Sequence, residues 1–176
     1  MSLMKIALVA CASASLFAAT ASAKSPADLS DTEIAHVAYV ADNIDIRYGH
    51  LALALSSNQV VRDFAASMVN DHTAVNEQAL ELLDKLGAAP QDNFLSQKLQ
   101  ADAEKIIDEM SKLRGSAFDR YYANNELAYH KAVVQLVETA FVPNIDHPEV
   151  KELFVAGLEL FKAHEGHAQH MVDSLK

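Results

Sequence analysis

QVVRDFAASMVNDHTAVNEQALELLDKL, residues 59–86, places Val61, Phe64, Met68, His72, Val75, Ala79, Leu82 and Leu86 at steps of three and four. That recurrence is the period of an α-helix burying one stripe against a partner, and Gly87 with Pro90 beyond it marks the stop. One position breaks the apolar seam: His72 stands where Leu or Ile would ordinarily sit.

Working back toward the N-terminus, Ile34, Val37, Ala41, Ile44, Tyr48, Leu51 and Leu55 repeat the same spacing, with Ser30 or Asp31 available as a cap. Only Ser56-Ser57-Asn58 separates this seam from the next, so the two helices are expected to be antiparallel neighbours. Working forward, a weaker amphipathic helix is expected over 93–113, with Leu95, Leu99, Ile106, Met110 and Leu113. Ser116 is expected to cap a further helix to about Phe141, carrying Phe118, Tyr122, Tyr129, Val133, Leu136 and Ala140. The segment from Pro143 to Pro148 breaks it, and a last helix over 149–175 would put Val150, Leu153, Gly157, Leu160, His164, His167 and Met171 on its seam.

No stretch alternates in the manner of a strand. The expected fold is therefore all-α, a four-helix bundle with an extra helix in the crossover between two hairpins. That helix, at 1.5 Å per residue, reaches roughly 30 Å, the length of such a bundle.

The first 23 residues are expected to be a signal peptide. A positive region ends at Lys5, an apolar stretch of about 14 residues follows, and Ala21-Ser22-Ala23 forms an A-x-A cleavage signature. Leu8-Val9-Ala10-Cys11 offers the competing reading of a lipobox that would anchor the chain through Cys11, but it leaves little apolar length before the cut. The expected organisation is then a leader (1–23), a short polar linker (24–30) and one helical domain (31–176), exported to the periplasm and without a membrane-spanning helix.

Cys11 is the only cysteine, so the exported part holds no disulfide and no thiolate ligand. Removing Lys5 from the 14 basic residues leaves 13 against 24 acidic ones, a formal charge of −11 with neutral histidines. Such a surface repels nucleic acid and favours cations. No nucleophile elbow or phosphate-cradling loop is present, which removes nucleophilic catalysis from consideration.

The placement of the histidines carries the chemistry. His72, His164 and His167 occupy seam positions, and a buried imidazole needs partners. Asp45 lies beside the first seam among the small residues Ala38, Ala41, Gly49 and Ala52, which allow close approach. Glu126 and His130 are four apart on one helix face, with Asp119 two turns earlier. Counting along the helices, Asp45, His72, His130 and His164 all fall roughly 15 to 21 Å from the same end of the bundle. A shared inward site of three imidazoles and one carboxylate is thus expected, with Glu126 and His167 in reserve. It would take one divalent transition ion such as zinc, iron, copper or manganese, and not calcium. Ferritin-like carboxylate centres use more Glu and fewer His than this.

His170 is expected in solvent, since it lies about 120° around its helix from His164. Met171 reads as core, Asp71 as a surface or supporting carboxylate, and Asp119 as serving the start of its helix. His36, His50 and His147 read as surface residues.

Asn43-x-Asp45 with Gly49-x-Leu51-Ala52, Phe64-Ala65 with Met68-Val69-x-Asp71-His72, Gly115 with Phe118-Asp119 and Tyr122, then His130 and a late His164, resemble the domain-of-unknown-function 4142 family. The likeness runs from about Asp31 to Leu175. It implies a ferritin-like bundle in an exported bacterial protein and brings no assigned reaction. Two positions depart from the family pattern: Asp45 stands where Glu is usual, and Leu158-Glu159 where Leu-Pro is usual.

Three functions fit these residues. The first is an envelope protein binding a transition ion in its core, for metal handling or stress. The second is a metal-free structural or interaction module with a buried Asp/His network. The least supported is an oxidase- or peroxidase-like enzyme, which would need an open coordination position. The metal ion is the partner expected, and self-association into a homo-oligomer is compatible with the sequence.

Overall fold

The computed structural model describes residues 24–176, and the expected signal peptide and Cys11 lie outside them. Five α-helices run through the described residues: α1 (Asp31–Leu55), α2 (Gln59–Lys85), α3 (Phe94–Ser111), α4 (Gly115–Leu136) and α5 (Pro148–Ser174). The described residues contain no strand. The fold is all-α, as the periodicity predicts, and no helix among the described residues is long and apolar enough to cross a membrane.

Local chemistry sets the boundaries. Ser30 and Glu33 form a capping box on α1, Asn58 caps α2 through Val60 N, and Asn93 caps α3 through Leu95 N and Ser96 N. After α2 the chain enters the left-handed region at Gly87 (φ 65°). There Gly87 N donates to Asp84 O and Ala88 N to Leu83 O, both at 2.9 Å, which satisfies two helix-end carbonyls in a Schellman motif. Ser116 does not cap α4 as expected. That helix starts two residues earlier, on Gly115 after Arg114, with no side-chain cap. At its far end α4 widens into a π-helical turn, Val137–Phe141, where Val142 N donates to Val137 O and both Val137 and Phe141 point inward.

Three ties fix the directions of the helices. Gln91 N donates to Thr32 O and Asn93 Nδ2 to Glu33 O, both at 3.0 Å, so α3 begins beside the start of α1. Ser56 Oγ donates to Asp119 Oδ1 at 2.5 Å, so α4 begins at the opposite end, beside the α1–α2 turn. Asp31 accepts from Asp146 N and His147 N, returning the start of α5 to the start of α1. Successive helices therefore alternate in direction. The closest pairs are α1 with α2 and α4 with α5; α3 lies along α1, and α2 faces α5.

Close approach of α1 and α2 depends on Gly49, where an added Cβ would sit 2.8 Å from Val69 Cγ2 and 3.1 Å from Ala65 O. The small-residue stripe of α1 thus receives another helix, as its composition suggests.

The interior has three zones. Tyr48, Phe64, Met68, Met110, Phe118, Tyr122 and Met171 anchor one apolar cluster, at the end holding the α1–α2 turn. Leu29, Ile34, Val37, Phe141, Ile145, Phe154 and Leu158 anchor another at the opposite end. Asp42, Asp45, His72, Glu126, His130 and His164, all buried, come from the middle of four helices. The segment expected as a polar linker has structure of its own: Pro26–Asp28 forms a 3-10 turn, Lys24 pairs with Glu33 at 2.7 Å, and Leu29 is buried in the second cluster.

Candidate metal centre

Helix α1 contributes Asp42 and Asp45, which are three residues apart and share one stripe. Helix α2 contributes His72 with its neighbour Asp71, α4 contributes Glu126 and His130, and α5 contributes His164. The three imidazoles form a triangle, with ring centroids 5.2 Å (His72–His164), 5.5 Å (His130–His164) and 5.9 Å (His72–His130) apart. Phe161 stacks on His72 at 5.6 Å. One ligand atom from each of His72, His130 and His164 lies within 4.8 Å of the other two, and the same holds for Asp45, Glu126 and His130.

Each imidazole is anchored through one nitrogen. His72 Nδ1 bonds Asp42 Oδ1 at 2.6 Å, His130 Nδ1 donates to the Glu126 carbonyl at 2.9 Å, and His164 Nε2 bonds Asp71 Oδ2 at 3.1 Å. The other nitrogens, His72 Nε2, His130 Nε2 and His164 Nδ1, are buried without a hydrogen bond. Metal-bound histidines have this pattern, because a partner on the outer nitrogen fixes the tautomer and frees the other nitrogen for the ion.

The carboxylates are equally unsatisfied. Asp45 Oδ2 lies 2.7 Å from His72 Nε2 and 3.5 Å from His130 Nε2. Both oxygens of Asp45 and both of Glu126 lack a hydrogen-bond partner, and each residue is 0% exposed. An ionised carboxylate in such a place requires a nearby positive charge.

The protonation states show how the charge is balanced. Burial pulls His72 down, but the flanking Asp42 and Asp45 outweigh it and hold its pKa at about 10. In the metal-free protein His72 is therefore a cation between two acids. Burial likewise raises Asp45, yet its close contact with cationic His72 brings it to about 2, with His130 and Glu126 acting in the same direction. Glu126 is pushed well above the ordinary carboxyl range by burial and by the charge on Asp45. Burial lowers His130 despite Asp45 nearby, and lowers His164 to about 4, with His72 and His130 acting in the same direction. Two imidazoles are neutral and offer lone pairs inward, and an ion would take the place of the inner proton of His72.

His72, His130, His164, Asp45 and Glu126 thus come together as the seam pattern predicts. His167 does not. It is exposed, in a surface groove with Asp63, Ser67 and His170, because the stripe of α5 that faces inward runs through Phe161, His164, Ala168 and Met171. His170 is exposed and Met171 is core, as expected.

Asp119 has a different role from the one expected. It is buried, and accepts from Ser56 to tie α4 to the α1–α2 turn. Sequence reasoning missed Asp42, although a second carboxylate three residues before Asp45 was a usable signal. Asp71 proves to be the supporting partner of His164 and, with its side chain 35% exposed, joins the buried group to the surface. His147 and His36 are half-buried: the backbone N–H of His147 bonds Asp31, and His36 Nδ1 lies 3.6 Å from Asp92.

Residues 16–171 match the family described as Domain of unknown function (DUF4142). The chain belongs to that family. No curated protein and no solved structure matches it.

Proposed function

We propose that this DUF4142 chain is an exported, ferritin-like bundle that holds a divalent transition ion among His72, His130, His164 and Asp45, with Glu126 adjoining. Its role would be in envelope metal handling or stress. One observation carries the reading: three buried imidazoles meet in one small volume, where His130 and His164 present inner nitrogens without hydrogen bonds and the inner nitrogen of His72 faces Asp45 at 2.7 Å. The A-x-A signature supports export, and the acidic charge of the chain favours cations over nucleic acid or anionic lipid. Zinc, copper, iron and manganese all accept this donor set.

Metal analysis of the protein purified from the periplasm, with thermal unfolding before and after each ion is added, tests the reading. Bound metal in stoichiometric amount and a raised unfolding temperature are expected. A metal-free protein that none of the four ions stabilises would sink it.

A second reading rests on the contacts of His72 with Asp42 and Asp45. A cationic His72 between two acids can hold α1 and α2 in register without any metal. If that is its role, His72→Gln lowers stability and leaves metal content unchanged; a loss of metal content decides against it.

A further inference from the structure

We propose that the polar core offers two alternative seats for a single ion, which share His130 and are chosen by the ion's hardness. The first is a nitrogen-rich seat of His72, His130 and His164. The second is an oxygen-rich seat of Asp45, Glu126 and His130. This rests on the reading that the core binds a metal at all.

Two overlapping triads carry the idea. Each brings one ligand atom per residue within 4.8 Å of the others, and all five residues are buried. The overlap falls on His130, which has a single nitrogen to give, since its Nδ1 already donates to the Glu126 carbonyl. One lone pair binds one ion, so the two triads cannot both be complete at once.

The oxygen-rich seat is more than a cluster of acids. Four carboxylate oxygens and the neighbouring Tyr122 hydroxyl are buried without hydrogen-bond partners, and Asp45, Glu126 and Tyr122 are each 0% exposed. Acceptors this dry are costly to leave bare, and a cation between the two acids would satisfy them together. The nitrogen-rich seat is prepared differently, with Asp42 and Asp71 orienting two of its rings from outside.

Imidazole suits zinc and copper, whereas carboxylate oxygen suits manganese. His164 belongs only to the first seat and Glu126 only to the second, so these two residues report which seat is filled. Asp45 Oδ2, 2.7 Å from His72 Nε2 and 3.5 Å from His130 Nε2, borders both seats.

The test strips the purified protein of metal and titrates it with Zn2+ alone and with Mn2+ alone, as the unsubstituted chain and as His164→Ala and Glu126→Gln. His164→Ala should weaken Zn2+ by roughly tenfold or more, the cost of losing even a supporting partner, and leave Mn2+ nearly unchanged. Glu126→Gln should do the reverse.

Electron spin resonance of the unsubstituted chain gives an answer that does not depend on either variant folding. Bound Cu2+ should show coupling to more than one imidazole nitrogen, and bound Mn2+ to no more than one. Parallel losses of both ions in both variants, or the same nitrogen coupling for Cu2+ and Mn2+, would overturn the two seats and leave metal binding standing. If the unsubstituted chain binds neither Zn2+ nor Mn2+, the two seats fall, and metal binding falls with them only when copper and iron also fail to bind.

Discussion

At the end of the molecule where α1 turns into α2, Tyr48, Met68, Met110, Phe118 and Tyr122 fill the interior and are at most 1% exposed. Farther along the same helices Asp45, Glu126, His130 and His164 are as dry, at most 2% exposed. The first group packs through its rings and side chains, with Phe118 stacked on Tyr122 and Phe64 edge-on to the same ring, and among these five residues only the Tyr122 hydroxyl is buried without a hydrogen bond. The second pairs Asp45 with His72 at 2.7 Å and leaves both Glu126 oxygens and the inner nitrogens of His130 and His164 without hydrogen bonds. Equal burial thus serves different ends. The apolar zone contributes stability, while the polar zone gives some of it up and keeps a set of groups ready for a cation.

Truncating the apolar zone should have the largest effect on folding. Phe118→Ala is expected to cost about 3 to 5 kcal/mol in urea unfolding of the metal-free protein, since it removes a fully buried ring and leaves a cavity. A loss below about 1 kcal/mol would mean that the two zones do not differ in this way.

The converse substitution belongs in the polar zone. Glu126→Met replaces a buried acid with an apolar side chain of similar size, so metal-free stability should stay level or rise, by up to roughly 1 to 4 kcal/mol. A marked loss would show that the acid is itself part of what holds the helices together.

Asp42→Asn tests the support behind His72. The ring keeps an acceptor at Nδ1 but loses the charge that makes it a better ligand, so Zn2+ affinity should fall by about 10- to 100-fold in a competition titration. Unchanged affinity would remove Asp42 from the site.

The smallest effect concerns acid. Burial holds His164 at about 4, below its ordinary 6.5, so on acidification the unfolded chain takes up that proton first. The contribution of His164 to metal-free stability is complete above about pH 6.5 and is lost as pH falls toward 4. Because Asp42 and Glu126 shift the opposite way, the effect is read as the difference from His164→Gln, which does not titrate. Between pH 6.5 and 4 the unsubstituted chain should lose stability faster than the variant, and parallel urea midpoints would contradict the assignment.

Much of this comparison was legible in the chain itself. A histidine on an apolar seam announces a buried polar group, and three on separate helices at one depth announce a shared one. What the pattern misread were positions near the edge of a stripe. On α5, steps of three and four favour His167 and Ala168 almost equally, and contact with α2 and α4 selects the smaller Ala168 for the interior. Asp119 looked like a residue for its own helix start because its acceptor role toward Ser56 spans 63 residues, a distance no local rule registers.

The sequence by itself determined the helices, their order, and which residue types would be dry, because periodicity and caps act over a few residues. It also determined membership of the DUF4142 family. Only the tertiary structure decided which nitrogen of each imidazole is anchored, that Asp42 and Asp71 do the anchoring, and that Asp45 and Glu126 face inward. Those outcomes depend on the rotation of each helix about its axis and on side chains reaching across between helices. Packing of the whole interior sets both.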